Sequence, residues 1–397
     1  MHPIPTESKF DTLPTRRGAA LLLEVLRSEG VRFVFGNPGT TELPFIDELI
    51  DAPDIKYILA LQEASVVAMA DGYAQASRRP AFVNLHTAGG LGHGFGNLWN
   101  ATVIGTPLVV TAGQQDTRHT LTDPLLFADL VSMATPVVKW AREISRADQI
   151  PVLIRRAFHD CNAAPTGPVF LSLPMDVMEQ MTSASVLETS TIDRSAVAGS
   201  LDLLANHLAA VTPGRLVIVA GDEISASCAA SEMVDLAEAV AAPVYGSSWP
   251  ARIPFPTSHY LWAGNLPTKA NEIADIFGDY DAVFGLGGKS LIAILYTEGS
   301  AIPPGCAVFQ MSADVRNLGR TYPAKLAVAG EIKASLHALL PLLVPKLAAR
   351  ATQYAAVREA ARTAQADRRR RLAAAADREF EAPITAARRS ARNRSSD

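Results

Sequence analysis

Two doubly wound α/β domains with parallel sheets, followed by an Ala/Arg-rich helical tail, form the fold class that this sequence predicts, on three observations. Short, nearly continuous apolar runs recur between residues 31 and 330. Stretches with apolar residues at helical spacing lie between them. Beyond Pro345 the bulky apolar residues almost vanish and Ala and Arg take over. A strand buried on both faces has no polar side to alternate with, so apolar strands separated by helices imply a parallel sheet covered on both sides. A chain of 397 residues also exceeds one ordinary core, so two or three domains are expected.

In the first domain, 1–178, Leu21, Leu22, Val25 and Leu26 recur at helical spacing and Gly30 closes that helix. The run VRFVF (31–35) then reads as a strand ending at the turn GNPG. Further strands are expected at YILAL (57–61), AFVNLH (81–86), PLVVTAG (107–113) and PVFLSLP (168–174). Residues 179–198, rich in Ser and Thr without strong periodicity, suit a linker. The second domain, 199–345, repeats the alternation with RLVIVAG (215–221), APVYGSS (242–248), DAVFGLG (281–287), CAVFQMS (306–312) and KLAVAG (325–330), and with helices such as ASEMVDLAEAV. The tail, 346–397, holds strong helix formers with little to bury, so a solvated helix and a frayed end, RRSARNRSSD, are expected. The run Arg368 to Arg371 offers a basic docking patch, although a charge run is ordinarily a solvated face.

Composition excludes several classes. Hydrophobic residues at 48% against 19% charged describe a soluble globular chain, and a net charge of −4 gives no electrostatic basis for a nucleic-acid partner. Cys161, Cys228 and Cys306 lie far apart with no CxxC, so neither a disulfide framework nor a metal-ligand set is expected, and the compartment reads as reducing. The N-terminus lacks the apolar core of a signal peptide, and no apolar run approaches the roughly 20 residues that span a bilayer, so a cytoplasmic protein without membrane contact is expected.

Two glycine-rich stretches are dismissed. GLGGKS (285–290) ends like a phosphate-binding loop, but the first glycine of that motif falls on Val283. AGGLGHGFGN (88–97) lacks the dinucleotide spacing. Three other segments stand at the carboxyl ends of consecutive expected strands: GNPGTTE (36–42), LQEASV (61–66) and LHTAGG (85–90). Ligands of open parallel sheets bind along that edge, so Asn37, Thr40, Glu63 and His86 are placed to share one crevice. Each also has a plain reading: Thr40 or Thr41 as a helix cap, Glu63 as complement to a helix dipole, His86 as a satisfied core histidine.

At these segments the sequence resembles a known family. FGNPGTTELPF (35–45), YILALQEASVVAMADGYAQASRRPAFVNLH (57–86) and PLVVTAGQQ (107–115) are similar to the benzoylformate decarboxylase branch of the thiamine-diphosphate-dependent enzymes, and GPVFLSLPMDV (167–177) and FPTSHYLWAG (255–264) continue the likeness more loosely. The acetolactate synthase branch more often shows HEQ and TSGPG where this chain has LQE and LHTAGG. The resemblance implies a pyrimidine-binding domain followed by a central domain. The family's third domain holds the cofactor diphosphate and Mg²⁺ through a GDG motif and paired asparagines, and this sequence contains neither. The expectation is a truncated or split product in which only the pyrimidine half of thiamine diphosphate is held here, with Mg²⁺ on a missing or partner domain.

Carried over residue by residue, the resemblance makes Glu63 the carboxyl group that bonds N1′ of the cofactor's aminopyrimidine, and burial in an apolar cleft is expected to raise its pKa. His86 matches a histidine that faces the substrate and moves protons. Thr40 replaces a serine that bonds the substrate carboxylate. Asn37, Pro38 and Gly39 match the turn lying against the cofactor, and His93 stands where the family has an asparagine near it. A second active-site histidine, from the central domain, aligns near Ile294, which puts benzoylformate itself in doubt as substrate. Two functions follow. One is a decarboxylase or carboligase component acting on 2-keto acids or aldehydes, as a homo-oligomer or with a diphosphate-domain subunit, acetolactate synthase-like or aldehyde-lyase-like chemistry included. The other is a non-catalytic or regulatory remnant.

Overall fold

The apolar runs of the first half assemble into a six-stranded, all-parallel sheet: β1 Phe33–Gly36, β2 Lys56–Leu59, β3 Ala81–Leu85, β4 Leu108–Gln114, β5 Ala141–Glu143 and β6 Val169–Pro174, in the order β2-β1-β3-β4-β6-β5. The computed structural model describes residues 14–376, and the chain divides into two units between Ile192 and Asp193. Successive side chains of a strand point to opposite faces, and this sheet buries both. Phe82 and Val109 pack with Leu21, Leu22 and Leu26 of α1 (Gly18–Ser28) and Ile154 and Phe158 of α4 (Ile150–Asn162). Val83 and Val110 pack with Val66, Val67 and Ala70 of α2 (Glu63–Ser77) and Leu91 and Leu98 of α3 (Thr87–Ile104). Strand β5 escaped the sequence reading because it is three residues long, sits at the edge and is nowhere fully buried. The chain leaves β1 toward β2 on one side and β3 toward β4 on the other. The β1/β3 boundary is therefore the switch point, where an open parallel sheet leaves a crevice at its carboxyl ends.

The second unit repeats the architecture with β7 Leu216–Ala220, β8 Val244–Gly246, β9 Trp262–Asn265, β10 Ala282–Leu286, β11 Ala307–Ser312 and β12 Leu326–Ala329, all parallel in the order β9-β8-β7-β10-β11-β12. Leu216, Ile218 and Ala220 face a core built with α5 (Leu201–Ala210), α6 (Ala230–Val240) and α8 (Ile332–Leu347), while Val217 and Val219 face Ile273 and Phe277 of α7 (Ala270–Phe277). Here β9 was not foreseen, since WAGN carries no apolar run.

The tail departs from expectation. Its helix α9 (Ala351–Ala376) is largely exposed, yet it docks on the second unit. Tyr354 is buried, and Val357 and Ala361 pack on the same core, a stripe at helical spacing that composition alone hides. Arg358 Nη1 donates to the Glu238 carbonyl at 3.0 Å, Arg369 donates to the Ser258 carbonyl, and the Arg362 guanidinium lies 4.5 Å over the Tyr260 ring. The expected frayed end RRSARNRSSD falls outside the described residues. The sequence reading also passed over one helical stretch, Ile332–Ala374, that is long and apolar enough to cross a membrane by length and composition alone. Leu336, Leu339, Leu343 and Leu347 of that stretch are buried in the core of the second unit.

Candidate active site

Strand β1 ends at Gly36, where nothing larger fits: a Cβ there would lie 1.9 Å from the Tyr57 hydroxyl and 2.6 Å from the Asn84 carbonyl oxygen. The chain turns through Asn37, Pro38 and Gly39 into a short 3-10 turn, Thr40–Glu42. Gly39 is constrained in the same way, since a Cβ would come within 2.4 Å of the His86 ring.

Glu42, which sequence reasoning missed, is the hub of this turn. Its buried carboxylate accepts four hydrogen bonds: Oε2 from the Gly39 N–H and His86 Nδ1, each at 2.8 Å, and Oε1 from the Gly113 N–H and the Thr41 hydroxyl, each at 2.8 Å. The signal that would have found it is a glutamate three residues after the turn glycine, reaching back to that glycine's N–H in the manner of a capping box. Thr40 is exposed at the start of the turn; it is Thr41 whose hydroxyl oxygen lies 3.1 Å from His86 Nδ1. His86 is partly buried, and the hydrogen bond to Glu42 holds its imidazole above the ordinary histidine value against the opposing effect of burial. With Nδ1 so engaged, Nε2 is the ring atom left to exchange a proton.

Glu63 is the first residue of α2, which Gln62 caps by accepting the Ser65 N–H at 3.1 Å. The Glu63 residue is 7% exposed. Asn37 Nδ2 donates to Oε1 at 2.9 Å, and His93 Nδ1 meets Oε2 at 3.1 Å. These contacts overturn the expected upward pKa shift. Burial does push the carboxyl up, but Asn37, the group's own backbone N–H and His93 together outweigh it and leave Glu63 below the usual carboxylate range.

Thr87, the residue after His86, supplies a further observation. It is fully buried, its backbone φ is +47°, and its hydroxyl has no hydrogen-bond partner among the described residues. A β-branched residue in that region is a backbone outlier, and such outliers concentrate at functional sites. The crevice therefore gathers Asn37, Gly39, Glu63, His86 and His93 at the carboxyl edge of β1, β2 and β3. Ile294 lies in the second unit, 45% exposed, on a loop whose backbone N–H donates to the Thr268 carbonyl.

Comparison with known proteins adds independent findings. Residues 16–133 match the model of the thiamine pyrophosphate enzyme N-terminal TPP binding domain, and residues 204–339 match that of the thiamine pyrophosphate enzyme central domain. The chain is 36% identical over 329 residues to a benzoylformate decarboxylase of Pseudomonas aeruginosa, covering 81% of this chain and 61% of that protein. It is 26% identical over 336 residues to a probable acetolactate synthase large subunit of Methanocaldococcus jannaschii, covering 83% and 56%. Among solved structures, a putative thiamin diphosphate-dependent enzyme from Mycobacterium smegmatis superposes with a TM-score of 0.77 at 35% identity, covering 83% of this chain and 63% of that one. A Rhodococcus jostii thiamine diphosphate-dependent 4-hydroxybenzoylformate decarboxylase gives a TM-score of 0.77 at 31% identity. The chain thus spans less than two thirds of the length of these relatives.

Proposed function

Through residues 16–133 and 204–339 the chain belongs to the thiamine pyrophosphate enzyme family, and from that premise we propose that it is the pyrimidine-binding and central part of an enzyme that decarboxylates a 2-keto acid or joins the product to an aldehyde. The observation that carries this reading is the buried Glu63 carboxylate, fixed by Asn37 at the carboxyl edge of the first sheet.

The residues present fit the pyrimidine half of thiamine diphosphate. Gly90 carries no side chain beside the carboxylate, where a Cβ would lie 3.3 Å from Glu63 Oε1, and the unpartnered Thr87 hydroxyl leaves a buried polar atom to be satisfied. When bound, the cofactor supplies a carbon nucleophile and an electron sink. Glu63 would hold the aminopyrimidine and share a proton with its ring nitrogen. Asn37 holds the carboxylate in place through Oε1, leaving the remaining lone pairs to meet the ring. The Asn37-Pro38-Gly39 turn forms the wall, and Thr40 offers its exposed hydroxyl to the substrate carboxylate. His86 delivers or removes a proton from Nε2 while Glu42 stabilises its charged form. Diphosphate and Mg²⁺ ligands come from a domain beyond the two matched here. The exposed Met69, Phe95, Trp99 and Val103 of α2 and α3 provide the apolar face for a partner domain or subunit.

The test is Glu63→Gln in the assembled holoenzyme. The amide keeps the shape but cannot exchange a proton, so deuterium exchange at the cofactor C2, followed by NMR, should fall at least ~10²-fold with assembly intact. Exchange at the wild-type rate would overturn the assignment. Turnover on aromatic and aliphatic 2-keto acids, with and without an aldehyde acceptor, separates decarboxylation from acetolactate synthase-like ligation.

A further inference from the structure

Glu63 has a second partner whose role the proposed chemistry does not use. Helix α3 closes on the first turn of α2 through two glycines one turn apart: a Cβ at Gly90 would lie 3.3 Å from Glu63 Oε1, and one at Gly94 would lie 3.2 Å from Val67 Cγ2. On the same face Asn97 Nδ2 donates to the Ala64 carbonyl at 2.6 Å, pinning the helices together. This approach carries His93 to Oε2 of Glu63 at 3.1 Å, although its side chain is 68% exposed. A ring so exposed contributes little packing, so the hydrogen bond is the effect its position can exert.

We propose that His93 is a positioning residue for Glu63: its Nδ1–H holds Oε2 from the solvent side while Asn37 holds Oε1 from the turn, fixing the carboxylate in one orientation before any cofactor arrives. The inference rests on the reading of Glu63 as the pyrimidine-binding carboxylate, but its geometry is a property of the chain alone. An ionised carboxylate is acceptor-only, so His93 must donate. A neutral His93 must then carry its proton on Nδ1, leaving Nε2 bare toward solvent. Two donors converging from different elements restrict the side-chain rotation that docking would otherwise have to freeze.

The test uses the full chain without cofactor. Imidazole nitrogen NMR on ¹⁵N-histidine protein should show neutral His93 as the Nδ1–H tautomer, reverting to the Nε2–H form in Glu63→Ala. Carboxyl-carbon NMR on ¹³C-glutamate protein should show the Glu63 midpoint moving upward in His93→Ala and returning most of the way in His93→Gln, whose amide can donate in its place. An Nε2–H tautomer in the wild type, a Glu63 midpoint indifferent to His93→Ala, or equal shifts in the Ala and Gln variants would each overturn the proposal. None of these readouts involves the cofactor, so failure here leaves the C2-exchange experiment standing, and failure there leaves this geometry standing.

Discussion

The two sheets each place a carboxyl group just beyond a strand and use it differently. Glu63 of the first unit is met by side-chain donors, Asn37 and His93, and lies below the usual carboxylate range. Glu223 of the second unit is met by the Ala313 N–H at 2.9 Å and the Ser312 hydroxyl at 2.8 Å, and burial pushes its carboxyl up. The space around them differs as well. In both units a backbone bond crosses the switch point, the Gly221 N–H donating to the Leu286 carbonyl at 2.8 Å and the Asn37 N–H to the Asn84 carbonyl at 3.3 Å, but in the second unit the following glycines also meet, a Cβ at Gly221 falling 2.0 Å from the Gly287 carbonyl oxygen. In the first unit the corresponding position holds a turn, a histidine and an unpartnered hydroxyl. A carboxyl group bonded to the end of a neighbouring strand ties two strands together, whereas one held by side chains from two other elements is placed to meet a ligand. The hub Glu42 shares features of both, since it is buried like Glu63 and accepts a backbone N–H like Glu223, and it also binds a histidine.

Glu42→Ala should separate the units most strongly. Four buried or partly buried donors lose their acceptor, among them a histidine whose charged form Glu42 favours, so a loss of about 3–5 kcal/mol is expected in urea unfolding. A loss confined below ~1 kcal/mol would show that the turn is not organised by Glu42.

Next come the glycines. At Gly221 an added Cβ would lie 2.0 Å from the Gly287 carbonyl oxygen, which is backbone, so Gly221→Ala should cost near the top of the ~1–3 kcal/mol range for overpacking. At Gly39 the obstacle is the His86 ring, a side chain that can yield, so Gly39→Ala should cost less and disturb the His86 titration seen by NMR. The reverse order of stabilities would remove the contrast between a switch point closed by backbone and one lined by a side chain.

The smallest effects, under about 1 kcal/mol on the scale of one net hydrogen bond, should have opposite pH slopes. A lowered folded pKa means that the Glu63 contribution is present above the unfolded value and is lost as pH falls, so Glu63→Gln should become more destabilising as pH rises through the carboxylate range. A raised folded pKa means that the Glu223 contribution is full in acid and declines as pH rises, so Glu223→Gln should compare better with wild type toward neutrality. Unfolding free energies followed from about pH 2 to 7, which spans the window below the ordinary carboxylate value for Glu63 and above it for Glu223, would show slopes of the same sign if burial alone governed both groups.

The sequence by itself determined the two parallel-sheet units, because strands buried on both faces must be written as apolar runs, and ten of the twelve are visible as such. It also determined the residue types at the crevice, since GNPGTTE, LQEASV and LHTAGG end successive strands and a parallel sheet lines those ends up. Strands β5 and β9 were not legible, being short edge strands stabilised by the neighbour they pair with rather than by their own apolar content. The docking of α9 was hidden for a similar reason: Tyr354, Val357 and Ala361 matter only once the surface they meet exists. Tertiary structure alone decided the state of Glu63. Composition exposes the apolar cleft that raises a carboxyl pKa, but the two donors that reverse it, Asn37 and His93, lie 26 and 30 residues away along the chain. The sign of an electrostatic shift depends on distances of about 3 Å, and only the folded arrangement of β1, α2 and α3 brings those atoms that close.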